Sequence, residues 1–221
     1  MQKLDVVTFG EAMAMFMADR PGLLHEAGRF TLGLAGAEAN VAIGLARLNV
    51  RTGWVSKVGK DAFGKFIMKR LKNESVDISR VRMDDKHPTG FQLKSKVKEG
   101  DPEVQYFRKG SAASRWVPGD FDKAYFLKAR HLHMTGIPLA VSGSFRSFAR
   151  QALAFMKENG KTVSFDPNLR PSLWPSVHEM IRQVNQSAFQ CDWVLPGIRE
   201  GAVLTGSDKP GEIADFYLEK G

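Results

Sequence analysis

Apolar and polar positions along the chain follow two alternating rhythms. Apolar runs of strand length occur at Leu4–Phe9, Thr52–Val58, Arg130–Thr135, Thr162–Asp166 and Asp192–Leu195. Stretches with helical spacing separate or follow them, at Glu38–Leu48, Asp61–Asn73, Ser142–Asn159, Val177–Phe189, Ile198–Leu204 and Glu212–Lys220. Strands separated by helices need right-handed crossovers, and a run that is apolar at successive positions suits a strand covered on both faces. The pattern therefore predicts an α/β fold: a Rossmann-like, mostly parallel sheet with helices on both faces. Turn chemistry agrees. Asp61 is placed to cap a helix, Asn159-Gly160 to end one before the strand at Thr162, and Pro210 to occupy a first helical turn.

Two regions break the alternation, Ala12–Met17 with Phe30–Ala35 and Thr89–Val97 with Glu103–Arg108. Each reads as a pair of strands joined by turn formers, as in Lys98-Glu99-Gly100-Asp101-Pro102. Phe91, Leu93, Ser95 and Val97 alternate with Gln92, Lys94 and Lys96, which predicts one half-buried face. With no crossover helices between partners, these strands are expected to make a small antiparallel sheet. Built from about 12–17, 30–36, 89–98 and 103–109, it would stand beside the open edge of the main sheet as a β-lid, so that residues 1–221 form one domain with a lid.

Composition narrows the class. With 221 residues, 43% hydrophobic and 25% charged, the chain has the mix of a globular protein rather than a disordered tail or a disulfide-dense scaffold. No apolar stretch approaches the ~20 residues that span a bilayer, so no membrane partner is expected. The formal charge of +8 attracts anions in general. Lys65, Lys69, Arg70 and Lys72, and Lys94, Lys96 and Lys98, nevertheless lack the interleaved aromatics of a base-stacking surface, so they read as solvated faces and no nucleic acid partner is expected. Asp5 interrupts the apolar run an export signal needs, and the lone Cys191 has no internal disulfide partner; both point to a cytoplasmic location.

Several motifs carry candidate chemistry. Gly59-Lys60-Asp61-Ala62-Phe63-Gly64-Lys65-Phe66 imitates a phosphate-binding loop but places Phe66 where Ser or Thr must meet Mg²⁺, and Asp61 adds a negative charge. A strand-to-helix turn is the better reading. Gly33–Asn40 concentrates small residues before a helix start, which allows close approach of backbone to a ligand, and Asn40 offers a donor and an acceptor together. A plain tight turn explains the same residues. In Tyr106-Phe107-Arg108-Lys109, Arg108 has the planar fork that matches a carboxylate. Asp166-Pro167-Asn168-Leu169-Arg170 follows a core strand, at the carboxyl edge where open α/β sheets bind ligands. His131 and His133 share one face of a strand but have no Cys or carboxylate nearby in sequence, so no direct metal site is expected there. Cys191 opens an apolar run and reads as core.

Taken together and in this order, these segments resemble the ribokinase-like (PfkB) carbohydrate kinases. The carriers are Val7–Phe16, Gly33–Glu38 with Asn40, Lys57–Gly64, Lys94–Pro102, Tyr106–Lys109, His133–Pro138, Asp166–Pro175 and Pro196-Gly197 through Thr205-Gly206, spanning nearly the whole chain. The resemblance implies a β-lid over a sugar and transfer of the ATP γ-phosphate to a terminal hydroxyl of a small-molecule sugar acid of the 2-keto-3-deoxy type. Carried over residue by residue, Gly36, Asn40, Gln92, Tyr106, Arg108, Ile137 and Arg170 would contact the sugar. Tyr106 and Arg108 would hold its carboxylate, and Gln92 stands where many relatives have Tyr. Asn168 and Arg170 would lie between sugar and ATP, Arg170 stabilising the transferring charge. Glu200 would order Mg²⁺ through water, although Gly197 occupies the Asn position of the family's Asn-x-x-Glu element.

The family's Gly-Ala-Gly-Asp motif, which carries the catalytic base and anion hole, does not occur in these 221 residues. The resemblance therefore predicts no catalytic base here, a chain corresponding to the sugar-binding two-thirds of such a kinase, and an unpaired sheet edge after the last helix. A kinase of another sugar and a non-catalytic sugar-acid-binding remnant are the alternatives. Lid strands with free edges suggest a homo-oligomer.

Overall fold

A computed structural model describes residues 3–220. In chain order the elements are β1 (Val6–Phe9), β2 (Met13–Pro21), β3 (Phe30–Ala35), α1 (Ala37–Arg47), β4 (Thr52–Gly59), α2 (Ala62–Asn73), β5 (Val81–Asp84), β6 (Phe91–Lys96) and β7 (Val104–Phe107). They continue with α3 (Lys123–Phe126), β8 (His131–Thr135), α4 (Ile137–Val141), α5 (Gly143–Glu158), β9 (Thr162–Asp166), α6 (Val177–Ala188), β10 (Trp193–Val194), α7 (Ile198–Thr205) and α8 (Pro210–Leu218).

The apolar runs pair as expected into a sheet of order β10-β9-β8-β1-β4-β5 in which every neighbour is parallel. Trp54 and Val55 are adjacent in β4, yet Trp54 packs in the core formed with α1 and α2 while Val55 packs in the core formed with α5. Successive strand residues point to opposite faces, so this split is the signature of a sheet covered on both sides. On the α5 side, Phe145, Phe148, Ala152 and Met156 are fully buried, and Phe148 meets Phe9 of β1 edge-on at 5.2 Å. Each large apolar side chain sealed in this way stabilises the fold by about 1.5–3 kcal/mol. Asp61 caps α2 by accepting the Gly64 N–H at 2.8 Å, and Gly160 ends α5 at φ +67°. Pro210 stands in the first turn of α8.

The remaining strands form a second sheet of order β3-β2-β6-β7. It corrects the antiparallel expectation. β2 pairs β3 and β6 pairs β7 antiparallel, but β2 and β6 run parallel. Between the hairpins the chain passes through α1, β4, α2 and β5, and it returns in the same direction; alternation of side chains carries no sign of strand direction. Two further differences have local causes. The edge strand β5, Val-Arg-Met-Asp, has no apolar run to announce it. Thr89, expected in the lid strand, lies before β6, where its N–H and hydroxyl both bind Asp61. No described helix is long and apolar enough to cross a membrane.

Candidate functional site

The second sheet and the segments leaving β1, β8 and β9 enclose a cleft of about 510 Å³. Gly36, Asn40, Gln92, Tyr106, Arg108, Ile137, Asn168 and Arg170 all line it, together with Glu11, Met13, Met15 and Lys94. Glu200 does not line it. A hollow of about 770 Å³ also curls within the β2–β3 connection, but none of the residues singled out in the sequence borders it.

Backbone chemistry builds the floor. Gly36 has φ +150°, and a side chain there would bring Cβ to 2.9 Å from the Glu11 carbonyl oxygen, so only glycine lets this turn close on the β1–β2 elbow. Asn40 follows one helical turn later, its N–H donating to the Gly36 carbonyl. The roof follows from register. Met15 lies beside Gln92, and Gln92 beside Tyr106, so these side chains stand in one row on the cleft side. The opposite face carries Phe16, Phe91 and Phe107, which cluster with Phe63 of α2; Phe91 and Phe107 stack at 4.5 Å. Gln92 is buried although polar, because the alternation that sends Phe91 to the helix sends it to the cleft.

At the end of β9, Asp166 organises the next turn. Its carboxylate accepts the Asn168 backbone N–H at 3.0 Å and the Asn168 Nδ2–H at 2.9 Å, holding Asn168 at φ +41°. Gly136 donates to the Asp166 carbonyl, and a Cβ on it would lie 2.1 Å from the Pro167 oxygen. Asn168 Oδ1 is buried without a partner, and Arg170 donates Nη1–H to the Leu169 carbonyl. Glu200 accepts the Leu169 N–H at 2.8 Å with one oxygen and the Gly197 N–H at 3.0 Å with the other. It thereby braces the Asn168 turn and caps α7.

Two charged groups of the cleft, Glu11 and Arg108, are paired with each other. Arg108, 9% exposed, donates Nε–H to Glu11 Oε2 at 2.7 Å, and Glu11 Oε1 accepts the Ser111 hydroxyl at 2.5 Å. The Arg108 guanidinium also lies 6.0 Å from the Tyr106 ring centre. Glu11 was not among the residues singled out from the sequence; its signal is a carboxylate between Gly10 and Ala12, directly after a core strand. Glu38 was missed as well. Fully buried on α1, it accepts the Thr135 hydroxyl at 2.5 Å, and that hydroxyl accepts the Ile137 N–H. Burial, opposed by the Thr135 hydrogen bond, pushes its carboxyl up to about 7. A Cβ on Gly10 would fall 2.3 Å from this carboxyl, which explains the glycine.

Other candidates have structural tasks. His131 and His133 both hydrogen-bond the Ser164 hydroxyl, and burial pushes His133 down to about 4, so it is neutral. Cys191 is buried, its thiol pushed up to about 12 by burial. Among the described residues no group of three or more His, Cys, Asp or Glu is arranged to hold a metal ion, and the Glu200 oxygens are engaged by amides. The described residues thus do not fit Mg²⁺ as direct ligands. Arg170, which lines the cleft and gives Nη1–H to the Leu169 carbonyl, keeps further donors of the kind a phosphoryl group needs.

An open parallel sheet with a second sheet beside a polar cleft is the frame of an α/β enzyme. The model of the pfkB family carbohydrate kinases matches residues 3–219, and the chain belongs to that family. By family it is a sugar kinase, a phosphotransferase. It is 56% identical to 2-dehydro-3-deoxygluconokinase of Bacillus subtilis (strain 168), over 99% of this chain and 68% of that protein. The crystal structure of a PfkB protein from Polaromonas sp. JS666 superposes with TM-score 0.95 at 49% identity, covering 99% of this chain and 74% of that one. An Escherichia coli structure described as a ribokinase II, in complex with ATP and Mg²⁺, superposes with TM-score 0.88 at 26% identity over 99% of this chain and 70% of that one.

Proposed function

We propose that the cleft binds 2-keto-3-deoxygluconate and that the chain contributes the sugar-acid site of an ATP-dependent kinase acting on the terminal hydroxyl of that sugar. The observation that carries this reading is the meeting, in one cleft, of a buried guanidinium (Arg108) and a second one (Arg170) with the polar groups of Asn40, Gln92 and Tyr106. A polyhydroxylated anion needs both kinds of partner. Arg108 and Tyr106 receive the carboxylate, Gly36 and Asn40 the hydroxyl-bearing carbons, and Ile137 an apolar edge. Arg170 and Asn168 face the phosphoryl end of ATP, which supplies the transferred group; there Arg170 neutralises developing charge. The name of the Bacillus subtilis relative supports the choice of sugar. Glu200 acts on this site through the Leu169 amide, and any contact with Mg²⁺ runs through water.

Two carboxylates border the cleft: Glu11 is engaged by Arg108 and Ser111, and Asp101, in the β6–β7 turn, is almost fully exposed, so neither is held as a base for the sugar hydroxyl. These 221 residues alone are therefore expected to bind the sugar acid without releasing ADP above background in a coupled assay; ordinary turnover contradicts the reading. Titration calorimetry checks the substrate: 2-keto-3-deoxygluconate binds, and neutral fructose binds at least about 10-fold more weakly, the loss of one charge-assisted hydrogen bond. Equal affinities favour a kinase of another sugar. On the face away from the cleft the second sheet also presents Leu32 and Phe107 exposed, which supports pairing between copies of the chain; light scattering should then give a dimer or larger, reduced to the monomer mass by Leu32→Glu.

A further inference from the structure

Glu11 is a carboxylate in a cleft proposed to receive a carboxylate, and charge alone makes that arrangement unfavourable. It is 3% exposed on the elbow between β1 and β2, and its partners come from the far end of the second sheet. Arg108 closes β7 and Ser111 stands in the turn after it, 97 and 100 positions along the chain. The fit is close. A Cβ on Gly90 would sit 2.8 Å from Glu11 Oε1 and 3.4 Å from Arg108 Cβ, so glycine is what admits the pair. Ser111 engages one oxygen of Glu11 and the Arg108 Nε–H the other, so the carboxylate cannot rotate without breaking a buried hydrogen bond. Arg108 Nη2 is buried against the same Oε2, so Glu11 holds one edge of the fork and only the other edge is left for a ligand.

We propose that Glu11 is the positioning residue for Arg108: it pins one edge of the guanidinium so that the remaining donors meet an anionic group of the ligand in a single direction. The proposal rests on the reading that the cleft takes a sugar acid. An unpinned arginine side chain would have to lose its rotamer freedom on binding; the pinned one has lost it already. The pair is also electrically neutral, so an anion is selected by directed hydrogen bonds rather than by net charge. Glu11 therefore acts on specificity through geometry, and its charge works against the anion that its geometry favours.

That opposition separates the two contributions. Glu11→Gln keeps an acceptor oxygen and removes the charge, whereas Glu11→Ala removes both. Titrating the full chain with 2-keto-3-deoxygluconate, at a temperature where each variant is folded by its unfolding curve, E11A should bind about 10-fold or more weakly than wild type. E11Q should bind as tightly as wild type or more tightly. E11A binding as well as wild type overturns the proposal. Unfolding without ligand tests the pairing separately. Arg108→Ala strands a buried carboxylate and should lower Tm by about 10 °C, and adding E11Q should restore at least half of that loss; simply additive shifts overturn the proposal. Failure of the wild-type chain to bind the sugar acid would instead sink the sugar-acid reading, and the unfolding cycle would still decide whether Glu11 holds Arg108.

Discussion

Glu38 makes the stability of the fold depend on pH in an uncommon direction for a carboxyl group. Its ordinary value is 4.5, and burial raises it to about 7, so the folded chain holds a proton that the unfolded chain gives up between those values. The stabilisation is complete below about 4.5, declines as pH rises through the window and is gone above about 7. His133 works the other way. Burial lowers it from 6.5 to about 4, and its contribution is present above 6.5 and lost as pH falls toward 4. Comparing wild type with Glu38→Gln isolates the first effect: urea unfolding at pH 5 and pH 8 should show a wild-type loss exceeding that of the variant by up to about 3 kcal/mol. Equal losses would mean that Glu38 is ionised in the fold. None of this was legible in Gly36-Ala37-Glu38-Ala39-Asn40, where Glu38 has the look of a solvated acid in a first helical turn. Its burial comes from Thr135 and Gly10, which lie far away in the chain. The same holds for Arg108: its character as an anion partner was legible, but its pairing with Glu11 was not.

At the scale of elements, the loop at Gly59–Phe66 shows how one local pattern can serve another end. Asp61, the residue that spoils a phosphate site, receives the Gly64 N–H, the Thr89 N–H and the Thr89 hydroxyl, fastening α2 to the segment before β6. Asp61→Ala is expected to cost about 2 kcal/mol in chemical denaturation, a lost cap plus buried donors left unmatched. Gly64→Ala should cost more, since its Cβ would lie 2.1 Å from the Gly59 carbonyl oxygen. Elements with strong periodicity or clear caps, such as β4, α2 and α5, were legible because local chemistry decides them. β5 was not, because an edge strand needs no apolar run. Nor was the parallel pairing of β2 with β6. Cys191 offers a further check: with its thiol pushed up to about 12 and buried, iodoacetamide should leave the folded chain unlabelled and modify it fully in urea.

For the whole molecule, the cleft is assembled from segments that only the complete topology brings together, from Glu11 on the first elbow to Arg170 beyond β9. The collinear motifs made its membership legible through family resemblance, while composition and charge said almost nothing about it. What no motif contained was how the roof is attached. Because β2 and β6 lie side by side in the same direction, with α1, β4 and α2 threaded between them, the roof is not a hairpin that can close early on its own. Its central pairing closes only across that crossover, a non-local contact of the kind that slows folding. Transplanting the roof to another scaffold would require carrying that crossover with it.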